Sequence, residues 1–187
     1  LLVTNPVNVS YLTGFTGEDS YFLASRQNSA LLSDGRFTTQ IAEECPDLDV
    51  MIRKPSEGLF GLVAEALRKR KITSLGIDGS HLSFNAYQQL IECCATTEVA
   101  VVPPLVEELR LIKDSHEIAE IRLAIDQAER GFSALKSQVL TTQTEREAAF
   151  DLEHAMRRFG AKRASFEIIV AARDRSALPH ARPTNLP

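Results

Sequence analysis

LDVMIRKPSEGLFGLVAEALRKRKITSLGIDGSHLSFNAYQQLIECCATTEVAVV, residues 48–102, changes its hydrophobic period repeatedly, and that change decides the fold. Residues 48–52 alternate as a strand does, whereas Leu59, Leu62, Val63, Ala66 and Leu67 recur at helical spacing. Residues 74–77 are again strand-like, 86–93 helical and 99–102 strand-like. Upstream, residues 21–24 and 30–32 flank Gln27-Asn28 as a hairpin, followed by a short helix over 37–44 that Pro46 ends. Leu1, Leu2 and Val3 resemble the inside of a strand that runs to a turn at Asn5-Pro6. The pattern predicts a compact α/β domain with a mixed sheet. Pro103-Pro104 stops the last ladder and stiffens the connection, which sets a first domain over 1–104 and a second over 105–187.

Beyond the prolines the period settles. Asp114 and Glu117 make a capping box, after which Ile118, Ile121, Ile125, Ala128, Phe132, Leu135 and Val139 repeat in steps of three and four. The mixed charges flanking this stripe favour packing on a sheet or neighbouring helix over a coiled-coil seam. A second capped helix runs from Thr144 and Glu147 to Phe159 and stops at Gly160. The apolar run 166–172 then reads as a strand. A lone strand cannot close a sheet, so the second domain is expected to be incomplete; a first residue already inside a strand, with no initiating Met, extends the expectation of missing sequence to both ends.

Composition removes several classes. The 187 residues are 44% apolar and 25% charged, as in ordinary globular chains, and 21 basic against 25 acidic residues give a net charge of -4. No basic face stands out, which argues against nucleic acid and acidic membrane surfaces as partners. No apolar stretch is long enough to span a bilayer, and the N-terminus lacks the charged flank and apolar length of a signal peptide, so a cytoplasmic location is expected. Cys45, Cys93 and Cys94 have no metal-binding spacing and fit reduced thiols, read as small core or helix residues.

One motif carries chemistry. The apolar run leads into Ser176-Ala177-Leu178-Pro179-His180-Ala181, where a stiffened approach presents an imidazole suited to acid, base or substrate contact. His81, His116 and His154 have no spaced partners and read as surface residues. Gly14 and Gly17 lack the continuation of a phosphate loop and read as a turn. Arg68-Lys69-Arg70-Lys71 reads as a solvated helix end. Asp34-Gly35-Arg36 is favoured as structural, with Arg36 bonding carbonyls or a carboxylate of a neighbouring element.

Four further segments follow in order: Asn8-Val9-Ser10-Tyr11-Leu12-Thr13-Gly14-Phe15-Thr16-Gly17, then Leu32-Ser33-Asp34-Gly35-Arg36-Phe37, then Glu108-Leu109-Arg110-Leu111-Ile112-Lys113-Asp114 with Glu117-Ile118 and Ile121-Arg122, and finally residues 165–170 with 176–181. Together they resemble the successive signatures of the Xaa-Pro peptidases, the aminopeptidase P and prolidase group. The resemblance implies a creatinase-type N-terminal α/β domain followed by the first helices and strand of a pita-bread catalytic domain. It also implies an exopeptidase that cuts between an N-terminal residue and proline, using two divalent ions, manganese, cobalt or zinc, and a proline-containing peptide as substrate. The family's metal ligands, two Asp, one His and two Glu, have no counterpart in this chain, so no metal-binding residue is assigned and the chain alone is expected to be inactive. His180 matches the family's histidine beside the metals, where it would contact the substrate and stabilise the tetrahedral intermediate; in metal-free creatinase the matching histidine is the acid/base. Glu18 and Asp19 match a loop that in some relatives reaches the partner subunit's active site, and a homodimer is expected.

One departure stands out. Where the family has a Ser or Gly pair, this chain has Ala172-Arg173-Asp174, and Arg disfavours the positive φ a glycine allows, so the turn is expected to be reshaped. The opposite charges of Arg173, Asp174 and Arg175 can tie the turn together, although exposed pairs contribute little. The alternatives are a non-catalytic pita-bread homologue serving as a binding or oligomerisation module, and a metal-free creatinase-type amidinohydrolase.

Overall fold

The computed structural model describes residues 1–187 as two compact units, Leu1–Ile112 and Lys113–Pro187. The first is the expected α/β domain. Its strands β1 (Leu2–Val3), β2 (Tyr21–Leu23), β3 (Ala30–Ser33), β4 (Val50–Ile52), β5 (Ser74–Asp78) and β6 (Glu98–Val102) form one sheet in the order β4-β3-β2-β1-β5-β6. The hairpin supplies the antiparallel β2–β3 pair, β1 also runs antiparallel to β2, and β3–β4, β1–β5 and β5–β6 are parallel. The sheet is therefore mixed.

Strand period two sorts the side chains onto two faces. Leu2, Leu23, Ala30, Leu32, Leu75 and Ile77 join Leu62, Val63, Ala66 and Leu67 of α3 (Leu59–Lys69) and Leu90 of α4 (Phe84–Cys93) in one buried cluster. Their neighbours Val3, Phe22 and Leu31 join Val9 of α1 (Pro6–Thr13), Ile41 of α2 (Thr38–Glu44) and Val106 of α5 (Leu105–Leu111) in the other. With helices on both sides, all four residues of β3 are buried, a continuous run rather than an alternation.

Helix α1 replaces the expected turn at Asn5-Pro6. Asn5 is its N-cap, accepting from the Val7 N–H at 3.0 Å, and Pro6 occupies the first helical turn, where its missing N–H costs nothing. Gly14 ends the helix at φ +79°, its N–H bonded to the Ser10 carbonyl at 2.8 Å. The domain boundary also moves, from Pro104 to Ile112. The prolines do end β6, but Pro104 caps α5, which turns back onto the sheet. Val106 is buried, the Asn8 amide donates to Glu107 Oε1 at 2.6 Å, and Arg110 donates to Asn8 Oδ1 at 2.8 Å. The basic run that ends α3 is only partly solvated: the Arg70 side chain is 11% exposed and bonds Asp49 and the Asn28 carbonyl.

The second unit begins with α6 (Ser115–Gln138) and α7 (Glu145–Arg158), both opened by the expected capping boxes. A Cβ on Gly131 of α6 would lie 2.5 Å from Met156 Cγ and 3.0 Å from the Met156 backbone nitrogen, so glycine permits this close helix approach. The apolar stripe is wider than α7 can cover, since Ile118, Ile121, Ile125 and Phe132 stay 40–54% exposed. Residues 166–172, expected as a strand, pair with nothing: an apolar run becomes a strand only where another backbone accepts its ladder. A 3₁₀ turn (Arg173–Ala177) and a turn at Pro179-His180 follow. No helix is long and apolar enough to cross a membrane.

Candidate functional site

His180 is exposed at the tip of a loop whose two sides are tied to one carboxylate. That carboxylate is Glu145, the first residue of α7, with its side chain only 1% exposed. It accepts from the Ala172 N–H at 2.9 Å, the Arg175 Nε at 3.1 Å, and the Thr184 N–H and hydroxyl at 2.9 and 2.8 Å. Arg175 then donates through Nη2 to the Arg182 carbonyl at 2.8 Å, and Ala181, next to His180, is buried. The backbone closes the same joint: Glu145 N–H donates to the Leu186 carbonyl at 2.9 Å and Arg146 N–H to the Thr184 carbonyl at 3.0 Å. These donors, the Ala172 N–H foremost and then those of Thr184 and Arg175, hold the Glu145 carboxyl down at about 2.

Two expectations for this loop change. Arg175 does tie the turn, but through the buried carboxylate of Glu145 rather than through an exposed pair. Arg173 does adopt the left-handed region, at φ +55°, so the turn keeps the conformation a glycine would favour. A non-glycine residue persists there because the bonds on either side over-determine the backbone. Glu145 itself escapes sequence reading. An acid in the first turn of a helix is ordinary on dipole grounds, and its partners lie 27 to 39 residues downstream.

The second cluster lies in the first unit, at the carboxyl ends of the parallel strands β3 and β4. Asp34, 4% exposed, caps the short 3₁₀ turn Gly35–Phe37 through the Arg36 N–H. It also accepts from the Arg36 guanidinium at 2.7 Å and from Arg53 at 3.2 Å, and the Arg36 guanidinium holds its carboxyl at about 2. Arg36 thus bonds carboxylates, reaching Asp19 at 2.7 Å. Asp19 sits at φ +48° and is exposed; the exposed Glu18 gives its carbonyl to the Ser20 hydroxyl at 3.0 Å. Asp19, Asp34, Arg36 and Arg53 line an open cleft of about 620 Å³ together with Glu57 and the start of α3. The candidate residues are therefore divided between the units, Glu18 and Asp19 in the first and His180 in the second.

The remaining candidates are less engaged. His81, His116 and His154 are exposed, as is Cys93, while Cys45 and Cys94 are buried free thiols. Burial, assisted by the neighbouring Cys93, pushes the Cys94 thiol up to about 11. No three His, Cys, Asp or Glu side chains gather in an arrangement that would hold a metal ion.

A mixed sheet clad on both faces is thus followed by a capped helix pair and a histidine loop. Residues 1–112 match the model of the creatinase/prolidase N-terminal domain, and residues 119–187 match that of metallopeptidase family M24. The chain belongs to the creatinase/prolidase family. It is 31% identical over 180 residues to a Bacillus subtilis protein described as an uncharacterized peptidase, YqhT, covering 96% of this chain and 50% of that one. It is 27% identical over 180 residues to the Xaa-Pro dipeptidase of Pyrococcus furiosus, with the same coverage. Among solved structures, the X-Pro aminopeptidase of Thermotoga maritima superposes with a TM-score of 0.88 at 29% identity, over 98% of this chain and 51% of that one. The Xaa-Pro dipeptidase of Bacillus anthracis superposes with a TM-score of 0.89 at 30% identity, with the same coverage. The chain spans about half the length of the curated relatives it matches.

Proposed function

We propose that this chain is part of a metal-dependent exopeptidase that cleaves the bond between an N-terminal residue and proline. The observation that carries the reading is the exposed His180 on a tied loop, in a segment that matches a metallopeptidase family. The similarity to proteins named Xaa-Pro dipeptidase and X-Pro aminopeptidase supports the substrate class. In this reading His180 donates a hydrogen bond to the scissile carbonyl oxygen as it gains negative charge, and Pro179 and buried Ala181 limit the paths the imidazole can take. Divalent ions, manganese, cobalt or zinc, belong to the proposal, but the residues of this chain gather no site that fits one. The 187 residues alone are accordingly proposed to be inactive, and turnover by the purified chain contradicts that part.

The deciding experiment assays the gene product, read through Pro187, on Xaa-Pro dipeptides and on longer peptides with proline second, with added manganese. Release of the N-terminal residue is expected, and His180→Ala is expected to lower kcat by about 10²–10³-fold. No cleavage of either peptide, or an unchanged kcat in the variant, defeats the reading. A cytoplasmic homodimer in which Glu18 and Asp19 approach the partner subunit's substrate completes the proposal. Its signature is a dimer in sedimentation and a raised KM with unchanged kcat in Asp19→Ala; a monomer that cleaves normally removes it.

A further inference from the structure

We infer that Glu145, acting through Arg175, is the positioning residue of His180. The bonds run to both sides of the histidine. Before it, Ala172 and Arg175 are held by the Glu145 carboxylate; after it, Thr184 is held by the same group and Arg182 by the far end of the Arg175 guanidinium. Buried Ala181 adds an apolar anchor immediately after His180. A histidine that must meet a developing charge gains most from a loop fixed before substrate arrives, because misplacement by about 1 Å costs on the order of 10²-fold in rate.

The chemistry of the knot requires an anion. Glu145 faces donors only: two backbone N–H groups, a guanidinium and the Thr184 hydroxyl, which donates to it. Glutamine keeps the shape but turns an NH₂ toward one set of those donors whichever way its amide lies. The left-handed Arg173 is the local sign of the same constraint, a conformation retained because the loop around it cannot relax.

This inference rests on reading His180 as a substrate-contacting group, so its test separates the two. In the 187-residue chain, Glu145→Gln is expected to speed amide exchange at Ala172 and Thr184 by at least about tenfold. The His180 ring resonances should move to those of an unstructured histidine, while α6 and α7 amides stay within about twofold. Thr184→Val, which removes one donor and leaves the carboxylate, is the second variant should Glu145→Gln fail to fold, and a smaller change in the same signals is expected. In the active gene product, Glu145→Gln is expected to lower kcat about 10–100-fold with little change in KM, and to add nothing once His180 is already Ala. Unchanged His180 resonances and loop exchange in the folded variants overturn the inference, as does a full additional loss in the His180→Ala background. A gene product that never cleaves an Xaa-Pro bond defeats the functional reading alone, and the resonance and exchange data still decide the positioning.

Discussion

The two units each bury a carboxylate against arginine, yet the groups do different work. Asp34 lies at the end of β3, a strand paired on both edges and covered on both faces, so its bonds to Arg36 and Arg53 finish a backbone that the sheet already fixes. Glu145 instead joins residues remote in sequence, tying Ala172 and Arg175 to Thr184. Unlike a ladder, a knot of this kind depends on ionisation.

The comparison breaks most visibly in the apolar core. Leu32→Ala, at a fully buried site in β3, is expected to cost about 2–5 kcal/mol in urea titrations that report on the first unit. No single apolar truncation in residues 166–172 should approach this. Next in size, Gly131→Ala drives a methyl into Met156 and is expected to cost about 1–3 kcal/mol, read as lost helicity in thermal unfolding of the second unit.

Acid sharpens the contrast. Glu145 falls from an ordinary 4.5 to about 2 in the folded chain, so its contribution is complete above about 4.5 and is lost as pH falls through about 2. Asp34 titrates over the same low range, from an ordinary 3.8 to about 2. Exchange at Ala172 and Thr184 is expected to accelerate as pH is lowered from 5 toward 2, after correction for intrinsic exchange, while Leu31 and Leu32 remain protected. Equal loosening at both sites would erase the distinction. A smaller effect is expected from Arg173→Gly, which relieves a left-handed Arg and should stabilise the second unit by at most about 1 kcal/mol in thermal melts, part of the gain being offset by a looser unfolded chain. The least perturbing probe is thiol labelling: at pH 8, exposed Cys93 should react well ahead of Cys45 and Cys94, which are buried and whose thiols burial pushes up.

What the sequence discloses follows the reach of its signals. The six strands and helices α2, α3, α4, α6 and α7 are legible because each carries its own period, turn or cap within a few residues. Helix α1 is not: it is short, rich in β-branched residues, and Asn5-Pro6 serves a turn as well as a helix start. α5 hides behind Pro103-Pro104, because proline marks the end of one element and the start of another with the same residue. The run 166–172 misleads because apolar pattern reports a wish for burial, not the presence of a neighbouring strand. His180 is visible through its motif, whereas Glu145 is visible only once its partners, remote in sequence, converge on it.

The loop also hides its own breakpoints from a protease. Of its three arginines, Arg182 precedes Pro183, which blocks tryptic hydrolysis, and Arg173 stands in a backbone conformation far from the extended form that a trypsin cleft accepts. Arg175, the third, has its guanidinium occupied by Glu145 and the Arg182 carbonyl. Resistance to trypsin between Ala172 and Pro187 is therefore a gauge of whether the knot is closed, and a nick after Arg175 marks the moment it opens.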